Sequence, residues 1–152
     1  MNFLIIGYGN TLRSDDGAGQ IVAQKIAEWE LPEVRSLAVH QLTPELTANI
    51  AQADAVIFID AVATNSENPV SLKIKQIQAK DGENTNFGHS CNPRSLLSWT
   101  QVLYGKRTKA YWVLIPAVNF DFGEQFSTTT QQGIDTSLKQ VKQLIIYQRL
   151  IK

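Results

Sequence analysis

Asp15 and Asp16 stand side by side in the run Gly7-Tyr8-Gly9-Asn10-Thr11-Leu12-Arg13-Ser14-Asp15-Asp16-Gly17-Ala18-Gly19, directly behind the apolar residues Phe3-Leu4-Ile5-Ile6. That order reads as a buried strand, a glycine-rich turn and the start of a helix. Ligands of open α/β sheets gather at the carboxyl ends of strands, so this first loop is a natural site. Adjacent carboxylates repel each other, and a shared proton or a cation is the ordinary way to hold such a pair in a partly dry place. A further acid, Asp60, follows the continuously apolar Ala55-Val56-Ile57-Phe58-Ile59, where its carboxylate should emerge at the same sheet edge. His89 closes a polar, glycine-containing stretch, Lys80 to Gly88, just ahead of the helix signal Asn92-Pro93. Asp16, Asp60 and His89 together make an open site for a borderline divalent ion, with positions left for water or substrate.

Each of these residues also has a plainer reading. Asp15 and Asp16 can stabilise the first turn of a helix by capping and by the helix dipole. Asp60 can be a turn former at a strand end, and His89 a solvated loop histidine. Convergence on one edge of one sheet is what raises the three above their separate roles. His40 falls within an alternating strand and reads as structural. Cys91, two residues from His89, raises the question of a thiol nucleophile. No orienting partner of recognisable pattern precedes it, so a small packing residue is expected. The glycine loop also invites a dinucleotide reading, but the G-x-G-x-x-G fingerprint asks for glycine where Leu12 stands. Two acids would moreover face the pyrophosphate.

The elements that must position these residues alternate. Strand signals fall at about 2–7, 34–41, 55–61, 69–77 and 110–116. Ala18, Val22, Ile26 and Trp29 form one helical stripe. A second helix is expected from Pro44 with Thr43 as its cap, and a third from Pro93 with Asn92 as its cap. The third carries Leu96, Leu97, Val102 and Leu103. The last helix runs from about Thr129, with Ile134, Leu138, Val141, Leu144 and Ile145 on one side. Gly133 should weaken it by about 1 kcal/mol relative to alanine. Strands alternating with helices predict a single α/β domain over 1–152, with a mostly parallel twisted sheet of about five strands sandwiched between helices. The strands at 55–61 and 69–77 have no helix between them and are expected to form an antiparallel pair.

A chain of 152 residues can bury a sizeable core without disulfides. Basic and acidic residues number 14 each, which argues against nucleic acid or a membrane surface as partner. One cysteine, no signal-peptide pattern and no long apolar run lead to the expectation of a soluble, cytoplasmic protein.

At these residues the chain resembles the maturation endopeptidases of [NiFe] hydrogenases. The likeness rests on Gly7-Tyr8-Gly9-Asn10-Thr11-Leu12 through Asp15-Asp16-Gly17-Ala18-Gly19, on Asp54 to Ala61, on the His89 region and on Leu114-Ile115-Pro116. It spans roughly residues 1–145. The first motif combined with a strand ending in Asp-Ala is what makes it specific. The resemblance implies removal of a short C-terminal extension from the hydrogenase large-subunit precursor once nickel has been inserted. It implies that Asp16, Asp60 and His89 are the catalytic and metal-holding residues. Nickel, in that reading, arrives with the precursor as a recognition element, and the protein itself is expected to be a monomer. Many relatives carry glutamate where this chain has Asp16, so Asp15 stays open as the alternative ligand. Residues Asn119 to Glu124 also depart from the acidic-glycine loop of the family. A non-catalytic nickel-binding chaperone is the alternative reading. For hydrolysis, a metal-bound water and a water activated by a carboxylate such as Asp16 both stay open.

Overall fold

Hydrophobic runs flanked by glycine and polar turns give five strands, and amphipathic stripes give the helices that cover them. The computed structural model describes residues 1–64, 72–79 and 91–151. In chain order these form β1 (Phe3–Tyr8), a 3-10 turn (Ser14–Gly17), α1 (Ala18–Ala27), β2 (Val34–Val39), α2 (Leu46–Ala51) and β3 (Ala55–Ala63). Then follow β4 (Lys73–Ile77), α3 (Pro93–Tyr104), β5 (Lys109–Ala117) and α4 (Thr128–Leu150). The sheet order is β2-β1-β3-β5-β4, parallel throughout except that β4 runs antiparallel to β5. The protein is therefore a single-domain α/β fold of the expected class.

Alternate residues of each central strand feed two cores. Phe3, Ile5, Ile57, Ile59, Val113 and Ile115 pack against Val22 and Ile26 of α1 and Ile134, Val141 and Ile145 of α4. Leu4, Ile6, Val56 and Phe58 face the other way, onto Leu46 and Ile50 of α2 and Leu96, Leu97 and Trp99 of α3. Burial on both faces explains why β1 and β3 read as unbroken apolar runs. Among the described residues, no helix is long and apolar enough to cross a membrane.

Several expectations need correction. β3 and β4 do not pair, because β5 lies between them. β4 exposes Lys73, Lys75 and Gln76, which suits an edge. β5, with Val113 and Ile115 fully buried, needs a strand on each side. The expected beginning of that strand, 69–71, lies outside the described residues. α2 proper begins at Leu46, after a turn in which the amides of Leu46 and Thr47 donate to the carbonyls of Thr43 and Pro44. Val102 and Leu103 of α3 are exposed, in a last turn that neither core covers. The Asn92 cap is as expected, its side chain accepting the Ser95 amide at 2.9 Å. Gly133 has a packing reason that helix propensity does not reveal. A Cβ there would sit 2.8 Å from Ile115 Cγ2 and 3.2 Å from Pro116 Cδ, so its absence lets α4 lie close on β5.

The same device operates where α1 meets the sheet. A Cβ on Gly7 would overlap the Gly19 carbonyl, and one on Gly19 would overlap the Ile59 carbonyl and lie 2.7 Å from that of Tyr8. The first turn of α1 thus rests on the carboxyl ends of β1 and β3. Alanine at position 19 should gain about 1 kcal/mol in helix propensity and lose more by forcing backbone apart, typically 1–3 kcal/mol or more. Gly19→Ala is expected to lower the urea midpoint, and an unchanged midpoint would contradict this close approach.

Candidate functional site

From β1 the chain turns through α1 to β2 on one side of the sheet, whereas from β3 it proceeds toward β5 and β4 on the other. The switch point lies between the carboxyl ends of β1 and β3, and a crevice at such a point is where open α/β sheets place their ligands. β1 and β3 run in register with Gly7 beside Ile59, so Tyr8 and Asp60 come next along the two strands. Side chains alternate across a sheet. Tyr8 and Asp60 therefore both fall on the α2/α3 face, in series with Ile6 and Phe58.

Asp60 is partly buried and lies within β3, which continues to Ala63 rather than ending at the acid. The Tyr8 hydroxyl donates to Asp60 Oδ2 at 3.0 Å. Burial pushes the Asp60 carboxyl up to about 6, and the nearby charge of Asp16 adds to the rise. The bonds from Tyr8 and the Ala61 amide pull the other way. Burial, then the Asp60 charge, raise Tyr8 well above the ordinary tyrosine range, so its hydroxyl keeps its proton and remains a donor.

Asp16 reaches this site from the 3-10 turn. It is partly buried, and its Oδ2 accepts the Asn10 amide at 2.7 Å. Gly9, with φ of 141°, has no room for a side chain against the Asp16 carbonyl, which draws the glycine loop over the acid. The glycines of the first motif thus serve close backbone approach. Among the described residues, Asp16 Oδ1 has no hydrogen-bond partner.

Asp15 points elsewhere. It is fully buried and accepts four hydrogen bonds: from the amides of Val118, Asn119 and Ser127 at 2.8–2.9 Å and from Ser127 Oγ at 2.7 Å. Burial alone would raise its pKa, but the Ser127, Val118 and Asn119 amides and the Ser127 hydroxyl outweigh it and hold the carboxyl below its usual range. Neither acid caps α1, whose N-cap is Gly17 with no side-chain capping bond. The simple capping reading is therefore replaced by two distinct roles.

Cys91, just ahead of the α3 cap, packs at the margin of the α2/α3 core and lies near enough to raise Tyr8 slightly. Burial, with the Glu45 charge, pushes its thiol up to about 11, which keeps it protonated and a poor nucleophile. His40 is exposed just past β2, where its carbonyl accepts the Gly9 amide at 3.2 Å. His89 lies outside the described residues. Among those described, no three His, Cys, Asp or Glu side chains are gathered to hold a metal ion. The structure thus brings Asp16 and Asp60 together and takes Asp15 away. Tyr8 was missed by the sequence reading, although its place at the end of β1 between two glycines was a usable signal.

This is an α/β fold shared with hydrogenase maturation endopeptidases. No protein-family model and no curated protein matches the chain by sequence. Among solved structures, the hydrogenase maturating endopeptidase HybD from E. coli is similar, with a TM-score of 0.72 and 21% identity over 93% of this chain and 90% of that one. The [NiFe] hydrogenase maturation protease HybD from Thermococcus kodakarensis gives 0.72 and 21% over 95% and 99% of the two chains. The maturation protease HycI from the same organism gives 0.71 and 22% over 92% and 89%. At these identities the likeness is one of fold.

The raised Asp60 has a stability consequence. Its folded form binds a proton more tightly than the unfolded chain does, so its contribution is present at low pH and lost as pH rises from about 4 through about 6. Asp60→Asn should therefore gain on the wild type, by about 1–3 kcal/mol at pH 7, with the gap closing near pH 4. Paired urea titrations across that range check it. A gap independent of pH would mean that Asp60 is not perturbed.

Proposed function

We propose that this protein is an endopeptidase that removes the C-terminal extension of a [NiFe] hydrogenase large-subunit precursor after nickel insertion. The observation that carries the reading is the meeting of Asp16 and Asp60 at the switch point of a fold whose solved examples include hydrogenase maturation endopeptidases. Asp16, Asp60 and His89 engage the nickel that the precursor brings as part of the substrate. Carboxylate oxygens and imidazole nitrogen suit a borderline divalent ion.

The chemistry is hydrolysis of one peptide bond. Water adds to the scissile carbonyl carbon, the C–N bond breaks, and one proton passes to the leaving nitrogen. Asp16 Oδ1, without a hydrogen-bond partner among the described residues, supports a carboxylate as the base that takes the first proton. Tyr8 holds Asp60 Oδ2 with a hydroxyl that keeps its proton. Soluble cytoplasmic action on a protein partner, as a monomer, completes the reading.

The test is incubation with nickel-loaded and nickel-free precursor, read by mass. Loss of the C-terminal peptide from the loaded form alone is expected. Binding of the loaded precursor without cleavage would instead favour a metal-checking chaperone. Asp16→Ala, Asp60→Ala and His89→Ala should each reduce cleavage by about 10²-fold or more. Cys91→Ala should stay within a few-fold of the wild type, because a protonated packing thiol takes no part in the reaction. An inactive but folded Cys91→Ala would reopen a thiol mechanism.

A further inference from the structure

Asp15 is adjacent to a proposed catalytic acid yet faces away from the crevice, and its four hydrogen bonds all run to one distant segment, 118–127. The backbone around it does the same. The Asp15 amide donates to the Asn119 carbonyl at 2.9 Å, the Ser14 amide to the Gly123 carbonyl at 2.7 Å, and the Gly123 amide to the Leu12 carbonyl at 2.8 Å. Ser14 Oγ donates to the Asp121 carbonyl at 2.8 Å, and Arg13 Nε to that of Phe120 at 3.1 Å. Ser14 itself is buried at φ of 50°, a left-handed conformation that costs a non-glycine residue energy and persists only where its surroundings enforce it. That kink opens the 3-10 turn Ser14–Gly17, where successive side chains diverge by about 120°. Asp15 goes inward and Asp16 goes to the crevice.

We propose that Asp15 is a positioning residue: its carboxylate locks the acid-bearing turn onto the segment after β5 and thereby fixes where Asp16 stands. Every partner of Asp15 is a donor, so the site requires an acceptor with both oxygens bare. An amide in its place would turn an N–H₂ group toward N–H or O–H groups. The catalytic significance of this lock rests on the functional reading above, whereas its geometric content does not.

The experiment uses the full chain and two readouts. The Asn10 amide, which donates to Asp16 Oδ2 at 2.7 Å, reports the placement of Asp16 without any substrate. Its hydrogen exchange is compared with that of Ile57 in the core of β3, which reports global opening. In Asp15→Asn, Asn10 should exchange about tenfold faster or more relative to Ile57. Turnover of nickel-loaded precursor per folded molecule should fall by about tenfold to 10²-fold with little change in KM, as expected for a misplaced reacting group. Ser127→Ala removes a single side-chain donor to Asp15 and should show the same pattern more weakly, which keeps the test open if Asp15→Asn does not fold. If Asn10 and Ile57 accelerate together, or Asn10 does not change, Asp15 is structural only and the proposal falls. If the wild type leaves the loaded precursor uncut, the functional reading fails, and the Asn10 exchange still decides whether Asp15 positions Asp16.

Discussion

The fold around the crevice depends on one buried carboxylate. Asp15 brings a charge into a place with no access to solvent, and an isolated charge there would be costly. Three amides and a hydroxyl converge on it and reverse the balance, so the carboxyl is more acidic than in a free chain. Amides after β5 and at the start of α4, and the turn that carries Asp16, are thereby tied through a single side chain. Ser127 shows how the economy works. Its amide and hydroxyl serve Asp15, while its Oγ also accepts the Thr130 amide as the cap of α4.

Two neighbouring acids in sequence thus differ in what surrounds them. Asp15 has donors on every side and is held charged. Asp16 has one oxygen without a hydrogen-bond partner among the described residues, and its charge acts on Asp60, which burial has already pushed toward neutrality. Opposite environments for nearby carboxylates are the usual way in which a protein separates a structural acid from acids available for proton or metal chemistry. Tyr8 completes the arrangement by occupying one oxygen of Asp60 with a hydroxyl that does not ionise. The crevice is then shaped from below by glycine. Without side chains on Gly7 and Gly19, α1 settles directly on the ends of β1 and β3 and delivers the acid turn to the sheet edge.

Much of this was legible in the residues. The apolar runs 3–6 and 55–59 can only be strands covered on both faces, and Asn92-Pro93 can hardly be anything but a helix start, because propensity, capping and periodicity agree there. Asp60 at the end of a buried run already pointed to the carboxyl edge. The placement of β4 was not legible. Strand direction follows from the missing helix between β3 and β4, but strand neighbours depend on which edge best tolerates a polar face, and that is settled by the whole sheet. Gly133 was read through helix propensity, which is local, whereas its actual reason is a contact with β5 more than fifteen residues away in the chain.

The acid pair marks the boundary most clearly. Sequence by itself determined that carboxylates would stand in the loop after the first strand and where the buried run of the central strand stops, since hydrophobic patterning fixes which residues emerge there. It determined no division of labour between Asp15 and Asp16, because nothing in a dipeptide of identical residues distinguishes them. Only the tertiary structure decided that Asp15 turns inward and Asp16 outward. The donors that select Asp15 belong to Val118, Asn119 and Ser127, more than a hundred positions along the chain, and backbone amides carry no signature in the sequence to announce which carboxylate they will meet.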